Sequence, residues 1–75
     1  MCKVKVNLVT GNDIQEFVEI CSKLPGTIQL IGADESGTVR VNAKSLLGAM
    51  YSMIWADTWC ESEYDIYSHI RKFAE

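Results

Sequence analysis

Few side chains in this 75-residue chain can do covalent or metal chemistry, and their spacing limits what they can do together. There is one histidine, His69, and three cysteines, Cys2, Cys21 and Cys60. The cysteine count is odd, and no two cysteines stand in a Cys-x-x-Cys step. A structural zinc site usually takes four nitrogen or sulfur ligands, so these scattered residues give it little support, and no metal or cofactor is expected. Cys21 and Cys60 read as small core residues and Cys2 as a free thiol near the terminus. His69 follows Asp65 by four positions, and an i,i+4 pair on a helix accounts for it. Asp34, Glu35, Glu61 and Glu63 lack the ligand pattern of a calcium loop and read as solvated charge.

The strongest functional lead is the stretch "VRVNAKSLLGAMYSM", residues 39–53. A polar Asn42-Ala43-Lys44-Ser45 step joins an alternating apolar segment to one with helical spacing. Ser45 fits a helix N-cap, a role worth about 1 kcal/mol. The residues after it, Leu46, Leu47, Met50, Met53 and Ile54, are too apolar for a fully exposed helix. They read either as core or as a patch that receives a partner. Gly48 weakens this helix by about 1 kcal/mol relative to alanine, which leaves close packing or close approach of a partner as its purpose.

These residues need a scaffold, and the chain is long enough for one domain, residues 1–75, with a modest core. A domain of this size buries only about 60% of the surface its unfolded chain exposes. Apolar residues make up 48% and charged residues 23%, a globular composition. The net charge is −3 with basic residues scattered, so the stripe that nucleic acid requires is missing, and an anionic membrane is disfavoured likewise. No apolar run approaches the roughly 20 residues that span a bilayer. The first residues do not resemble a signal peptide, and the expected compartment is the cytoplasm.

Alternation in "CKVKVNLV" places Val4, Val6 and Leu8 on one face of a first strand. Asn12 or Asp13 caps a helix over "DIQEFVEICSKL", with Ile14, Phe17, Val18, Cys21 and Leu24 on one side. Pro25-Gly26 ends it. "TIQLIG" and "TVRVNA" form an antiparallel pair around the loop "ADESG". Ser45 opens the second helix. "WADTWCES" reads as a fourth strand, in which Trp55, Asp57 and Trp59 share one face. "ESEYDIYSHIRKFAE" reads as a final helix, capped by a Ser62–Asp65 box, with Ile66, Ile70, Phe73 and Ala74 inward. The order is β-α-β-β-α-β-α. The expected class is α+β: a four-stranded antiparallel sheet with three helices on one face.

This order, together with Val41-Asn42-Ala43-Lys44-Ser45 followed by Leu46, Leu47, Gly48 and Met50, resembles HPr, the histidine-containing phosphocarrier of the bacterial phosphoenolpyruvate:sugar phosphotransferase system. "SKLPGTIQL" lends weaker support, and the resemblance spans essentially the whole chain. It implies an open-faced sandwich with strands ordered 1-4-2-3. It also implies a histidine and an arginine ahead of the first helix, where a helix N-terminus steadies the phosphate. Here the histidine position falls near Thr10 and the arginine position near Asn12, in "LVTGNDIQEF". A threonine hydroxyl lacks the nucleophilicity and leaving ability of an imidazole unless a base activates it. The span from Ser45 to the last helix is also shorter than in phosphocarriers, and the second hairpin is slightly longer.

The resemblance implies that Ser45 matches a serine phosphorylated by an ATP-dependent kinase in Gram-positive relatives, and that Lys44, Leu46, Leu47 and Met50 match a partner-docking patch. The leading expectation is therefore a bacterial, non-catalytic regulatory or adaptor protein, not an enzyme. Its partners would be proteins such as a serine kinase, enzyme I or a catabolite regulator. One alternative is a phosphotransfer component with an unusual acceptor, for which a relocated His69 is a candidate. Another is a homo-oligomeric structural module, weakly associated, whose tryptophans bury against a second copy.

Overall fold

The computed structural model describes residues 2–75. Four strands form one antiparallel sheet in the order β1-β4-β2-β3. They are β1 (Cys2–Val6), β2 (Ile28–Asp34), β3 (Gly37–Asn42) and β4 (Thr58–Ser62). Three helices cover one face: α1 (Gly11–Ser22), α2 (Leu46–Tyr51) and α3 (Tyr67–Ile70). A 3₁₀ turn extends α2 over Ser52–Ile54, and another extends α3 over Arg71–Phe73. This is the expected α+β open-faced sandwich, with its 1-4-2-3 strand order.

Period-two alternation sets the register. Leu30 of β2 pairs with Cys60 of β4 and Val41 of β3, and Val4 of β1 pairs with Cys60 from the other side. These residues face the helices. From α1 the buried set is Ile14, Phe17, Val18 and Cys21, four of the five residues of the predicted stripe; Leu24, the fifth, lies past the end of the helix and is half-buried. Phe17 meets Phe73 edge to face at 5.6 Å, which ties α1 to the C-terminal turn.

The other sheet face is open. It carries Trp59, Ile31 and Arg40 in register, with Lys3 above the Trp59 ring at 5.8 Å. Arg40 Nη1 donates to Gln29 Oε1 at 3.1 Å and to Glu61 Oε1 at 3.2 Å. Ile31, between Trp59 and Arg40 in register, is only 6% exposed on this face. An antiparallel sheet with one solvated face reads this way.

Four sequence expectations are corrected. The cap of α1 is Thr10, not Asn12 or Asp13; Thr10 Oγ1 accepts from the Asp13 amide at 3.1 Å, and the Asp13 carboxylate accepts from the Thr10 amide at 3.2 Å. Asp13 is thus the far half of a capping box. The loop "ADESG" is largely strand: Asp34 pairs with Gly37, leaving only Glu35-Ser36 in the turn. Gly37 has φ +116°, a backbone conformation that side chains disfavour.

The fourth strand begins at Thr58, because Trp55 ends the 3₁₀ turn and turns inward instead of pairing. Trp55 and Trp59 therefore do not share a face: Trp55 is buried under the helices and Trp59 lies on the open side.

The last helix is far shorter than residues 61–75. Ser62 is a buried residue of β4 whose hydroxyl donates to the Tyr64 carbonyl, so it caps nothing. Asp65 accepts from the Tyr67 amide at 2.9 Å and starts the turn alone. After Phe73 the chain extends beside β1: Ala74 bridges Val6, Asn7 N–H donates to Phe73 O at 2.8 Å, and Glu75 N–H donates to Lys5 O at 2.9 Å. This tail shields part of an otherwise open edge strand.

Candidate docking face

Helix α2 is built from its polar entry. Asn42 organises the turn, accepting from the Lys44 amide on Oδ1 at 2.9 Å and from the Ser45 amide on its carbonyl at 3.0 Å. Ala43 is fully buried and its amide donates to Ile28 O, so the entry is clamped to the sheet. Ser45 then has extended backbone angles, and its Oγ accepts from the Gly48 amide at 3.2 Å. Ser45 is the predicted N-cap.

Lys44, expected to be a partner contact, is half-buried, and its Nζ donates to the Leu24 carbonyl at 2.6 Å. It stitches the start of α2 to the end of α1. Thr10 caps the opposite end of α1, a helix about 18 Å long. Thr10 and Ser45 therefore belong to different ends of α1.

The side of α2 that meets the sheet is made of small residues. Ala49 and Ser52 are buried, and Gly48 is half-buried. A Cβ at Gly48 would meet Val41 Cβ at 3.4 Å and the Asn42 carbonyl at 3.5 Å, so this glycine faces the sheet and not a partner. Ser52 satisfies its hydroxyl by donating to Ala49 O at 2.6 Å.

The large apolar residues point outward. Leu47 is 82% exposed and Ile54 69%, with Leu46, Met50, Tyr51 and Met53 between 41% and 49%. The reading of Leu47, Met50 and Ile54 as core is thus overturned. A surface helix normally turns its apolar stripe inward; here the polarity is reversed. Two rows result, Leu47-Tyr51-Ile54 and Leu46-Met50-Met53, each at i, i+4, i+7 spacing. Single exposed apolar residues are ordinary, but a contiguous group marks an interaction surface.

The face has a charged end. Tyr51 Oη donates to Asp34 Oδ2 at 2.5 Å. Ser36 donates to Asp34 Oδ1 through its hydroxyl and its amide. The Ser36 and Tyr51 hydroxyls, in that order, hold the Asp34 carboxyl below its ordinary range. The same bond pushes the Tyr51 phenol upward.

The phosphocarrier site is not assembled. The Asp13 carboxylate lies against the entry to α1, accepting from Val9 N–H at 3.1 Å and Thr10 N–H at 3.2 Å, so a negative charge already stands where an anion would approach. His69 is exposed on α3, and among the described residues its ring makes no hydrogen bond or ion pair; the expected pair with Asp65 is absent. Burial pushes the Cys21 thiol up to about 11 and the Cys60 thiol up to about 12, so neither is a nucleophile near neutral pH.

Comparison of the chain with protein-family models, with curated proteins and with solved structures gives no match. No helix among the described residues is long and apolar enough to cross a membrane, and no group of three or more potential metal ligands occurs among them. The site residues follow from geometry alone. Sequence reasoning named Ser45, Leu46, Leu47 and Met50; it missed the charged end supplied by Asp34 and Tyr51. Those two residues lie seventeen positions apart, and no spacing rule connects them.

Proposed function

We propose that this chain is an HPr-like, non-catalytic regulatory or adaptor protein related to the phosphotransferase system, which docks protein partners through the outer face of α2. One observation carries the reading: six large apolar side chains of residues 46–54 face solvent, while Gly48, Ala49 and Ser52 pack inward. Exposing so much apolar surface forgoes roughly 25 cal/mol for every Å² left in water. Covering that surface on a partner recovers this.

Ser45, half-exposed at the entry to α2, is the candidate for regulation of this face. Its hydroxyl is the cap of a helix whose next two residues, Leu46 and Leu47, belong to the apolar face. A phosphate there would add a charge of about −1.5 to −2 at the border of the face and change which partners fit. Intact mass after incubation with ATP and the HPr serine kinase tests this, with Ser45→Ala as the control.

Less supports the alternatives. Thr10 spends its hydroxyl oxygen on the α1 cap, and the neighbouring Asp13 carboxylate is engaged by the Thr10 and Val9 amides. Burial of Trp55 within its own chain removes half of the tryptophan argument for an oligomer, leaving Trp59.

Amide chemical-shift mapping tests the docking surface. The ¹⁵N-labelled protein is titrated in turn with enzyme I, the HPr serine kinase and the catabolite regulator. Shifts concentrated in residues 45–54 are expected with at least one partner. Shifts concentrated on Lys3, Ile31 and Trp59 would move the docking surface to the open face and contradict the proposal.

A further inference from the structure

We infer that the element received by the α2 face is an amphipathic helix of a partner protein with a lysine or arginine at one end of its apolar row, and that Asp34 and Glu35 receive that cation. The inference rests on the docking reading and specifies its occupant.

The row Leu47-Tyr51-Ile54 does not end in open solvent. It runs into a hollow of about 290 Å³ lined by Asp34, Glu35, Ser36, Tyr51 and Ile54. The hollow is apolar on the α2 side and acidic on the hairpin side. A lysine or arginine has the matching shape, an apolar stem with a charged head. Its stem would lie along Ile54 and the Tyr51 ring, where a cation also gains from the aromatic face. Its head would reach the two carboxylates.

The two acids are suited to this differently. Asp34 is fixed by the Tyr51 and Ser36 hydroxyls, so it is already oriented when a partner arrives. Glu35 is exposed and makes no ion pair among the described residues, so its charge is free. Lys44, the one basic residue of the 44–54 segment, does not compete: it lies at the far end of α2 and is committed to the Leu24 carbonyl. The apolar rows, from Leu46 to Ile54, run about 12 Å, which suits two to three turns of a partner helix laid ridge into groove. The carboxylates at one end fix which way that helix lies.

The test uses three synthetic 18-residue helical peptides that share one leucine row and differ only at one end, which carries lysine, glutamine or glutamate. Dissociation constants are measured by calorimetry against the wild-type protein, Glu35→Lys, Leu47→Asp, and Glu19→Lys as a control for bulk charge. The lysine peptide is expected to bind about tenfold tighter than the glutamine peptide. Glu35→Lys should remove that preference, and Glu19→Lys should keep it. Equal binding of the lysine and glutamine peptides, with Leu47→Asp abolishing both, would leave the docking face standing and overturn its basic occupant. Equal effects of Glu35→Lys and Glu19→Lys would reduce the preference to bulk charge and overturn it too. Failure of every peptide to bind, or binding indifferent to Leu47→Asp, would overturn both readings. A mass in solution that doubles with concentration, and no longer does so in Leu47→Asp, would give the face to a second copy of the chain and overturn the inference.

Discussion

Trp55 rests on Gly32 of β2 so closely that a Cβ on Gly32 would lie well inside van der Waals contact of the indole Cε3. The contact fastens the end of α2 to the sheet, and the Tyr51 ring meets Trp55 edge to face at 5.8 Å. Small residues along α2 bring it down onto the sheet, and Trp55 locks it there. The indole N–H has no partner among the described residues, a cost that the buried ring must outweigh.

Gly32→Ala should therefore destabilise the protein by about 1–3 kcal/mol, the range for overpacking a filled core. Tryptophan emission should shift to the red as Trp55 is displaced. Urea unfolding followed by fluorescence checks both. Unchanged stability would mean that the indole can move aside freely.

Thiol chemistry offers a separate check on the core. Cys21 and Cys60 are buried with their thiols pushed to about 11 and about 12, whereas Cys2 is half-buried near the terminus. At pH 8 a disulfide reagent should titrate Cys2 alone in the native protein, and all three cysteines in guanidinium. Rapid reaction of Cys21 would place a path to solvent beneath α1.

Ser45→Ala removes an N-cap and should cost about 1 kcal/mol, with Ser45→Asn close to neutral. Thermal unfolding measures the cost, which corresponds to a shift of about 4–8 °C in a domain of this size. A cost near zero would deny Ser45 its capping role.

The Asp34–Tyr51 bond predicts a pH signature. The folded carboxyl titrates below its unfolded value of 3.8. Its stabilising contribution is therefore complete above that value and is lost as pH falls below it, through the folded pKa. Asp34→Asn should flatten the loss of stability below pH 4 relative to wild type. Tyr51→Phe should shift the Asp34 titration upward, because one of its donors is gone. Urea midpoints at pH 5 and pH 2.5, with carboxyl titration by NMR, give the result.

Most of the scaffold was legible in the sequence because its apolar residues keep strict periods. Val4 and Val6, Ile28 and Leu30, and the stripe Ile14-Phe17-Val18-Cys21 each name one buried face. Errors arose where a tertiary contact overrode a local pattern. Trp55 has strong strand character, yet the bare surface of Gly32 draws it inward and delays β4 to Thr58. Residues 61–66 have helical composition, but pairing of β4 with β1 and β2 holds the chain extended through Ser62. The apolar run after Ser45 was ambiguous for a different reason. Periodicity shows that Leu47 and Ile54 share a face, but not whether it turns inward; the small residues at 48, 49 and 52 decide that.

The central claim is that the α2 face is a docking surface and not a structural accident, and Leu47→Asp tests it most directly. At 82% exposure Leu47 contributes little to the fold, so the variant should unfold within about 0.5 kcal/mol of wild type. Calorimetric titration of both proteins against enzyme I and against the HPr serine kinase is the measurement. The account predicts that Leu47→Asp weakens binding by at least about tenfold with stability unchanged, since a carboxylate would be buried without a partner at the contact. Equal affinity in the two proteins would contradict it.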